Sequence, residues 1–167
     1  MTQNLQAVTI GAMTVTKNTN DILVAYGLGS CVVVCLYDPV NQVGGMIHAL
    51  LPTSPKARPE PANPIKFVDQ GIPLLIEELE RMGGKQSRFK VYLCGGARML
   101  TIPGDDTLHV GARNIVAAEE ALERARLDID CRATGGTAGR TVKFYIESGE
   151  VTIRSLRQSE KCLNGQM

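Results

Sequence analysis

Three apolar runs follow one another within residues 22–51: Ile22 to Tyr26, Cys31 to Tyr37 and Val43 to Leu51. Each is short and bounded by turn formers, and the middle one is rich in β-branched side chains, the pattern of strands and not of helices. Gly27-Leu28-Gly29-Ser30 separates the first two, and Asp38-Pro39-Val40-Asn41 joins the last two as a turn. Links of this length commit the chain to a fold with much antiparallel pairing.

The remaining segments extend that picture. Ala7 to Lys17 alternates and reads as a strand ahead of the turn Asn18-Thr19-Asn20-Asp21. Pro52 to Pro64 holds five of the eight prolines, which marks an exposed loop and not core. Ile65 to Met82 reads as a helix closed by Gly83-Gly84, with Pro73 either kinking it or marking where its regular part starts. Phe89 to Cys94 reads as a buried strand. Asp106 or Thr107 is the expected cap of a helix running to about Leu127. Asp128 to Ala133, Thr141 to Glu147 and Val151 to Leu156 complete the strands. The expectation is one compact α/β domain over residues 1–157, largely antiparallel with two main helices, and a flexible tail over 158–167.

Charge narrows the function classes. Eighteen basic and seventeen acidic residues give a net charge of +1, so the chain carries no footprint for nucleic acid or an anionic membrane. No basic segment followed by an apolar one opens the chain, and no apolar stretch reaches spanning length. A soluble, cytoplasmic protein without membrane insertion or a nucleic-acid partner is expected. Its five cysteines are an odd number without the spacings of a disulfide framework. Cys31 and Cys35 lie roughly 13 Å apart along an extended strand, too far to share one tetrahedral zinc ion. Neither a metal nor an organic cofactor is expected.

Cys31 is open to two readings. A free cysteine in a strand is commonly a small core residue. Alternatively it is a nucleophile, since Gly29 and Ser30 just before it leave backbone N–H groups able to face a developing oxyanion. If Tyr37 pairs with Gln42, Cys31 falls directly opposite His48, and a neighbouring imidazole can hold a thiol as a thiolate–imidazolium pair. His48 also reads as a satisfied core histidine, and His109, near a helix start, reads as structural. Cys35 and Cys94 read as core, and Cys131 and Cys162 have no motif around them. "TGGTAGRT" (134–141) fails as a phosphate loop, because Thr134 stands where a glycine is required and Arg140 where the lysine belongs. It reads as a turn between strands. Glu77, Glu78 and Glu80 form an acidic helix face that is either solvated or a partner surface.

"GLGSCVVVCLYDP" followed by "GGMIHALLP" resembles the signature of the CheD family, the chemoreceptor glutamine deamidases of bacterial and archaeal chemotaxis. The likeness continues through "KFVDQGIPLLIEELERMGG", "CGGARML", "GARN" and "TGGTAGRTVKFYIESGEV". It implies a sandwich similar to the catalytic domain of the cytotoxic necrotizing factor toxins, with Cys31 as nucleophile and His48 as general base. It further implies conversion of particular glutamines of methyl-accepting chemotaxis receptors to glutamate, and a CheC-type phosphatase of phosphorylated CheY as partner. One position departs from the pattern: the family's third catalytic residue is commonly a threonine six places before the cysteine, and here that place is Ala25. Another group, a backbone carbonyl or Tyr26, would then have to hold His48. The alternative is a protein that mainly binds the phosphatase, with weak or no catalysis.

Overall fold

A computed structural model describes residues 2–55, 62–99, 109–155 and 159–164. The chain runs β1 (Asn4–Ala7), β2 (Ala12–Thr16), β3 (Asp21–Leu28), β4 (Val32–Asp38), β5 (Val43–Ala49), α1 (Val68–Arg81), β6 (Lys90–Gly95), α2 (Val110–Arg124), β7 (Cys131–Thr134), β8 (Arg140–Tyr145), β9 (Val151–Ser155) and β10 (Lys161–Cys162). The strands form two five-stranded sheets, ordered β1-β3-β8-β9-β10 and β2-β5-β4-β6-β7. Each is antiparallel except for one parallel pair at an edge, β1 with β3 and β6 with β7. The expected α/β domain with two helices and mostly antiparallel strands is therefore what forms.

The alternation along β4 explains the layering. Val32, Val34 and Leu36 pack with Leu75, Leu79, Ala118 and Leu122 of the two helices. Cys31, Val33, Cys35 and Tyr37 point the other way, into a second core with Leu23, Ala25, Val142 and Phe144 of the opposite sheet. The order of layers is sheet, sheet, helices. A strand buried on both faces needs apolar residues at every position, which is why residues 32–37 read as a continuous run. On β5 the same crowding selects small residues: an added Cβ would come within 2.8 Å of Ile146 at Gly44 and within 2.8 Å of Leu75 at Gly45. The α1 face of Val68, Ile72, Leu75, Ile76 and Leu79 is buried, and each such side chain contributes roughly 1.5–3 kcal/mol.

The structure corrects several boundaries. The strand expected over 7–17 is two strands in different sheets, β1 and β2, with the chain crossing between sheets at residues 8–11. The first helix begins at Val68 and not at Ile65. Pro64–Lys66 form a separate 3-10 turn, and Phe67 is extended, bridging to Leu51. Pro73 lies inside α1. Asp106 and Thr107 lie outside the described residues, and His109 takes the capping role on α2, its Nδ1 accepting from the Ala112 N–H at 3.3 Å. Most of the proline-rich loop also lies outside the described residues. Within the segment expected to be a flexible tail, β10 pairs with β9 and Leu163 is buried. Asn164 donates to the Tyr92 hydroxyl at 2.9 Å and accepts from the Val151 N–H at 2.7 Å. Residues 161–164 are thus docked. No helix among the described residues is long and apolar enough to cross a membrane.

Candidate active site

The register of β4 against β5 decides how Cys31 and His48 meet. Asp38 pairs with Val43, so the connecting loop is residues 39–42 and His48 stands opposite Val33. The expected pairing of Tyr37 with Gln42 is off by two positions. The cause is Asp38, whose Oδ1 accepts from the Val40 N–H at 2.9 Å and so draws the turn one residue onward. A two-residue shift preserves the face. Cys31 and His48 therefore still point into the layer between the sheets, as diagonal neighbours instead of direct ones.

His48 is 3% exposed. Its Nδ1 lies 2.9 Å from the Val8 carbonyl oxygen, where the chain crosses between sheets. A carbonyl only accepts, so in the neutral ring Nδ1 carries the hydrogen and Nε2 the lone pair. Nε2 is buried and has no hydrogen-bond partner among the described residues. A backbone carbonyl thus does the orienting that Ala25 cannot. Ala25 itself is fully buried in the same inter-sheet core as Cys31; Tyr26 is exposed on the opposite face of β3.

The loop before β4 is held carbonyl by carbonyl. Gly29 O accepts from the Ala97 N–H at 2.9 Å and Cys31 O from the Gly96 N–H at 2.8 Å. Ser30 O accepts from the Asn114 side chain at 2.9 Å. Gly95 is required beside it: its φ is +105°, and an added Cβ would lie 2.3 Å from Cys31 O. With the carbonyls tied back, the N–H of Ser30 takes no acceptor among the described residues. The N–H of Cys31 faces its own sulfur.

Electrostatics separates the thiols. Burial pushes the Cys31 thiol up, partly offset by its own backbone N–H. Burial also lowers the His48 imidazole, against the Val8 hydrogen bond. Both shifts favour the neutral thiol and neutral imidazole over the ion pair in the free protein. Cys35 and Cys94 are fully buried; Cys35 is raised further, and Cys94 is pushed up to about 12. Both shifts keep these two buried side chains as neutral thiols at neutral pH.

Two other candidates have partners within the fold. Arg140 donates Nη2–H to the Gly135 carbonyl at 2.7 Å, closing the glycine turn between β7 and β8. On α1, Arg81 pairs with Glu77 and Glu78. The sequence reading missed Asn114, a fully buried amide in the α2 stripe of Ala117, Ala118, Ala121 and Leu122. The available signal was a polar residue at helical spacing on an otherwise apolar face.

Against known proteins, the family model described as CheD chemotactic sensory transduction matches residues 50–155, well over half of the chain. The chain belongs to the CheD family. Relatives agree beyond that segment. A protein of Symbiobacterium thermophilum is 39% identical over 159 residues, covering 95% of this chain and 96% of its own. One of Desulforamulus reducens is 45% identical over 135 residues, 80% and 81% of the two chains. One of the archaeon Thermococcus kodakarensis is 40% identical over 147 residues, 88% and 90%. Each is named a probable chemoreceptor glutamine deamidase CheD. The family model starts after Cys31 and His48, but an alignment covering 159 of 167 residues necessarily includes both.

Proposed function

We propose that this protein hydrolyses specific glutamine side chains of methyl-accepting chemotaxis receptors to glutamate, through a thioester on Cys31. The observation that carries the reading is that a cysteine at a glycine loop shares the inter-sheet face with a buried imidazole on the neighbouring strand, whose Nε2 has no hydrogen-bond partner among the described residues. Relatives named as chemoreceptor glutamine deamidases support the substrate class.

When the substrate enters, Nε2 of His48 takes the thiol proton as Cys31 Sγ attacks the carboxamide carbon. Catalytic hydrogen bonds that are loose in a free enzyme tighten in the complex. The Cys31 and Ser30 N–H groups donate to the developing oxyanion. The tetrahedral intermediate collapses as His48 returns the proton to the leaving nitrogen, the C–N bond breaks and ammonia departs. Water, deprotonated by Nε2, then attacks the thioester, and glutamate leaves as the thiol is restored. Nothing in these steps calls on a cofactor.

Mass spectrometry of a receptor cytoplasmic fragment tests this. Each converted glutamine adds about 1 Da, as –NH₂ becomes –OH through the acyl intermediate. No mass gain after prolonged incubation with the wild-type protein overturns the assignment.

A second reading keeps its own observation. Ala25 lacks the hydroxyl that the resemblance leads one to expect, which favours a protein that mainly engages a CheC-type phosphatase. Calorimetry with that phosphatase tests it, and binding is expected to survive Cys31→Ala. We place the protein in the cytoplasm, where its five free cysteines stay reduced.

A further inference from the structure

Asn114 lies on α2, eighty-three residues after Cys31, and is completely buried. Its Nδ2 donates both hydrogens, to Ser30 O at 2.9 Å and to Leu50 O at 3.0 Å. Those carbonyls lie just beyond the last ladder pair, Val32 with Ala49, on the strands that carry Cys31 and His48. One amide thus ties together the two ends that regular sheet hydrogen bonding no longer reaches. Oδ1 of the same amide is buried without a hydrogen-bond partner among the described residues. Burying an unsatisfied acceptor opposes folding. An alanine, as at Ala117, Ala118 and Ala121 on the same face, would avoid it. The side chain is therefore accounted for by what Nδ2 holds.

The consequence follows from peptide geometry. In a trans peptide the C=O and N–H point in opposite directions. Fixing Ser30 O towards the helix layer sends the Cys31 N–H into the layer between the sheets, where the Cys31 sulfur lies. We propose that Asn114 is the positioning residue of this site: by holding the Ser30 carbonyl it aims the Cys31 N–H at the place where a tetrahedral oxyanion forms. The role rests on the acyl-transfer reading above, and it touches no reacting atom.

The test compares two reactions of the same sulfur. Acylation of Cys31 by p-nitrophenyl acetate passes through an oxyanion: the S–C bond forms, the C–O bond breaks and p-nitrophenolate leaves. Alkylation by iodoacetamide displaces iodide and forms no oxyanion. With Asn114→Ala, acylation is expected to fall roughly 10–100-fold, while alkylation at its alkaline plateau stays within about threefold of wild type. The buried thiols of Cys35 and Cys94 remain unlabelled in folded protein and report the fraction to which the rates refer. Asn114→Ser, a milder variant for use if alanine unfolds the chain, is expected to shift the same ratio in the same direction. Equal losses in both reactions, or acylation within twofold of wild type, overturn the inference, as does a wild-type Cys31 that is not acylated. Receptor deamidation is followed in parallel. A wild-type protein that acylates in an Asn114-dependent way but leaves receptor glutamines intact sinks the proposed substrate and not the positioning role. Unchanged receptor deamidation by Asn114→Ala does the reverse.

Discussion

The Nδ1 of His48 lies 2.9 Å from the carbonyl oxygen of Val8, across the segment that carries the chain from one sheet to the other. This bond sets the tautomer and leaves the lone pair on Nε2. It separates two things that a substitution at His48 can remove. In His48→Asn the shorter amide keeps an N–H near the Nδ1 position while Nε2 is gone. Receptor deamidation is expected to fall about 10²–10⁴-fold, with the thermal midpoint close to wild type. His48→Ala is expected to lose activity equally and to unfold earlier, because the Val8 carbonyl is left buried and unpaired. Activity above a tenth of wild type in either variant removes His48 from the chemistry.

With the imidazole already held, a hydroxyl at position 25 has little to add. Ala25 is 0% exposed between the sheets, and overpacking such a position costs about 1–3 kcal/mol. Ala25→Thr is expected to give no gain in single-turnover deamidation rate and a lower unfolding midpoint in urea. A rate gain of tenfold or more would mean that the Val8 bond orients the ring poorly and that the missing hydroxyl matters.

The faces of β3, β4 and β5 were legible in the sequence, and the register was not. Alternating side chains in residues 22–51 are local information, whereas the hairpin offset depends on how Asp38 caps its own turn and on the left-handed conformation of Gln42, at φ +48°. The error of two residues left Cys31 and His48 on one face, so their shared face was recoverable even though their direct opposition was not. Segments 7–17 and 65–82 read as single elements because their apolar patterns run on. The breaks are made by tertiary contacts, the sheet crossing at 8–11 and the Leu51–Phe67 bridge. What Asn114 and the Val8 carbonyl hold was out of reach for another reason, although a polar residue on the apolar α2 face was itself visible. A backbone acceptor has no sequence signature, and the value of a buried amide depends on carbonyls contributed by segments far away in the chain.

Asp38 supports the site without joining it. Its buried carboxylate pairs with Arg88 at 2.6 Å and accepts from the N–H groups of Lys85 and Val40, each at 2.9 Å. The guanidinium and these donors hold it well below the usual carboxylate range. Asp38→Ala leaves those N–H groups without an acceptor and is expected to cost about 3 kcal/mol in denaturant unfolding. Because the folded-state value is depressed, the contribution is present above the unfolded carboxylate pKa and is lost as pH falls below it. Activity per folded molecule should stay near wild type, and a selective loss of turnover would place Asp38 in the chemistry after all.

The pH dependence of Cys31 distinguishes a neutral pair from an ion pair. Burial raises the thiol above its ordinary value of 9.0 and lowers the imidazole below 6.5. Between those limits the free protein holds S–H and neutral imidazole. Iodoacetamide labelling of Cys31 should then climb about tenfold per pH unit through the neutral range, because the thiolate is the reacting species, and level off only above pH 9. A thiolate–imidazolium pair would instead give a flat rate through neutrality that falls only in acid. On the proposed mechanism deamidation follows a different rule, because Nε2 takes the proton as the substrate is attacked. It should hold a plateau from neutral pH downwards and fail only below pH 6.5, as His48 becomes protonated. The same lowering makes the fold sensitive to acid. The unfolded chain binds a proton at His48 before the folded one does, so stability from this group is complete above 6.5 and declines as pH falls through the window beneath it. Cys35 and Cys94 should stay unlabelled throughout unless the protein unfolds. A flat labelling profile for Cys31 between pH 6 and 8 would refute the neutral pair, and with it the requirement that substrate binding trigger proton transfer.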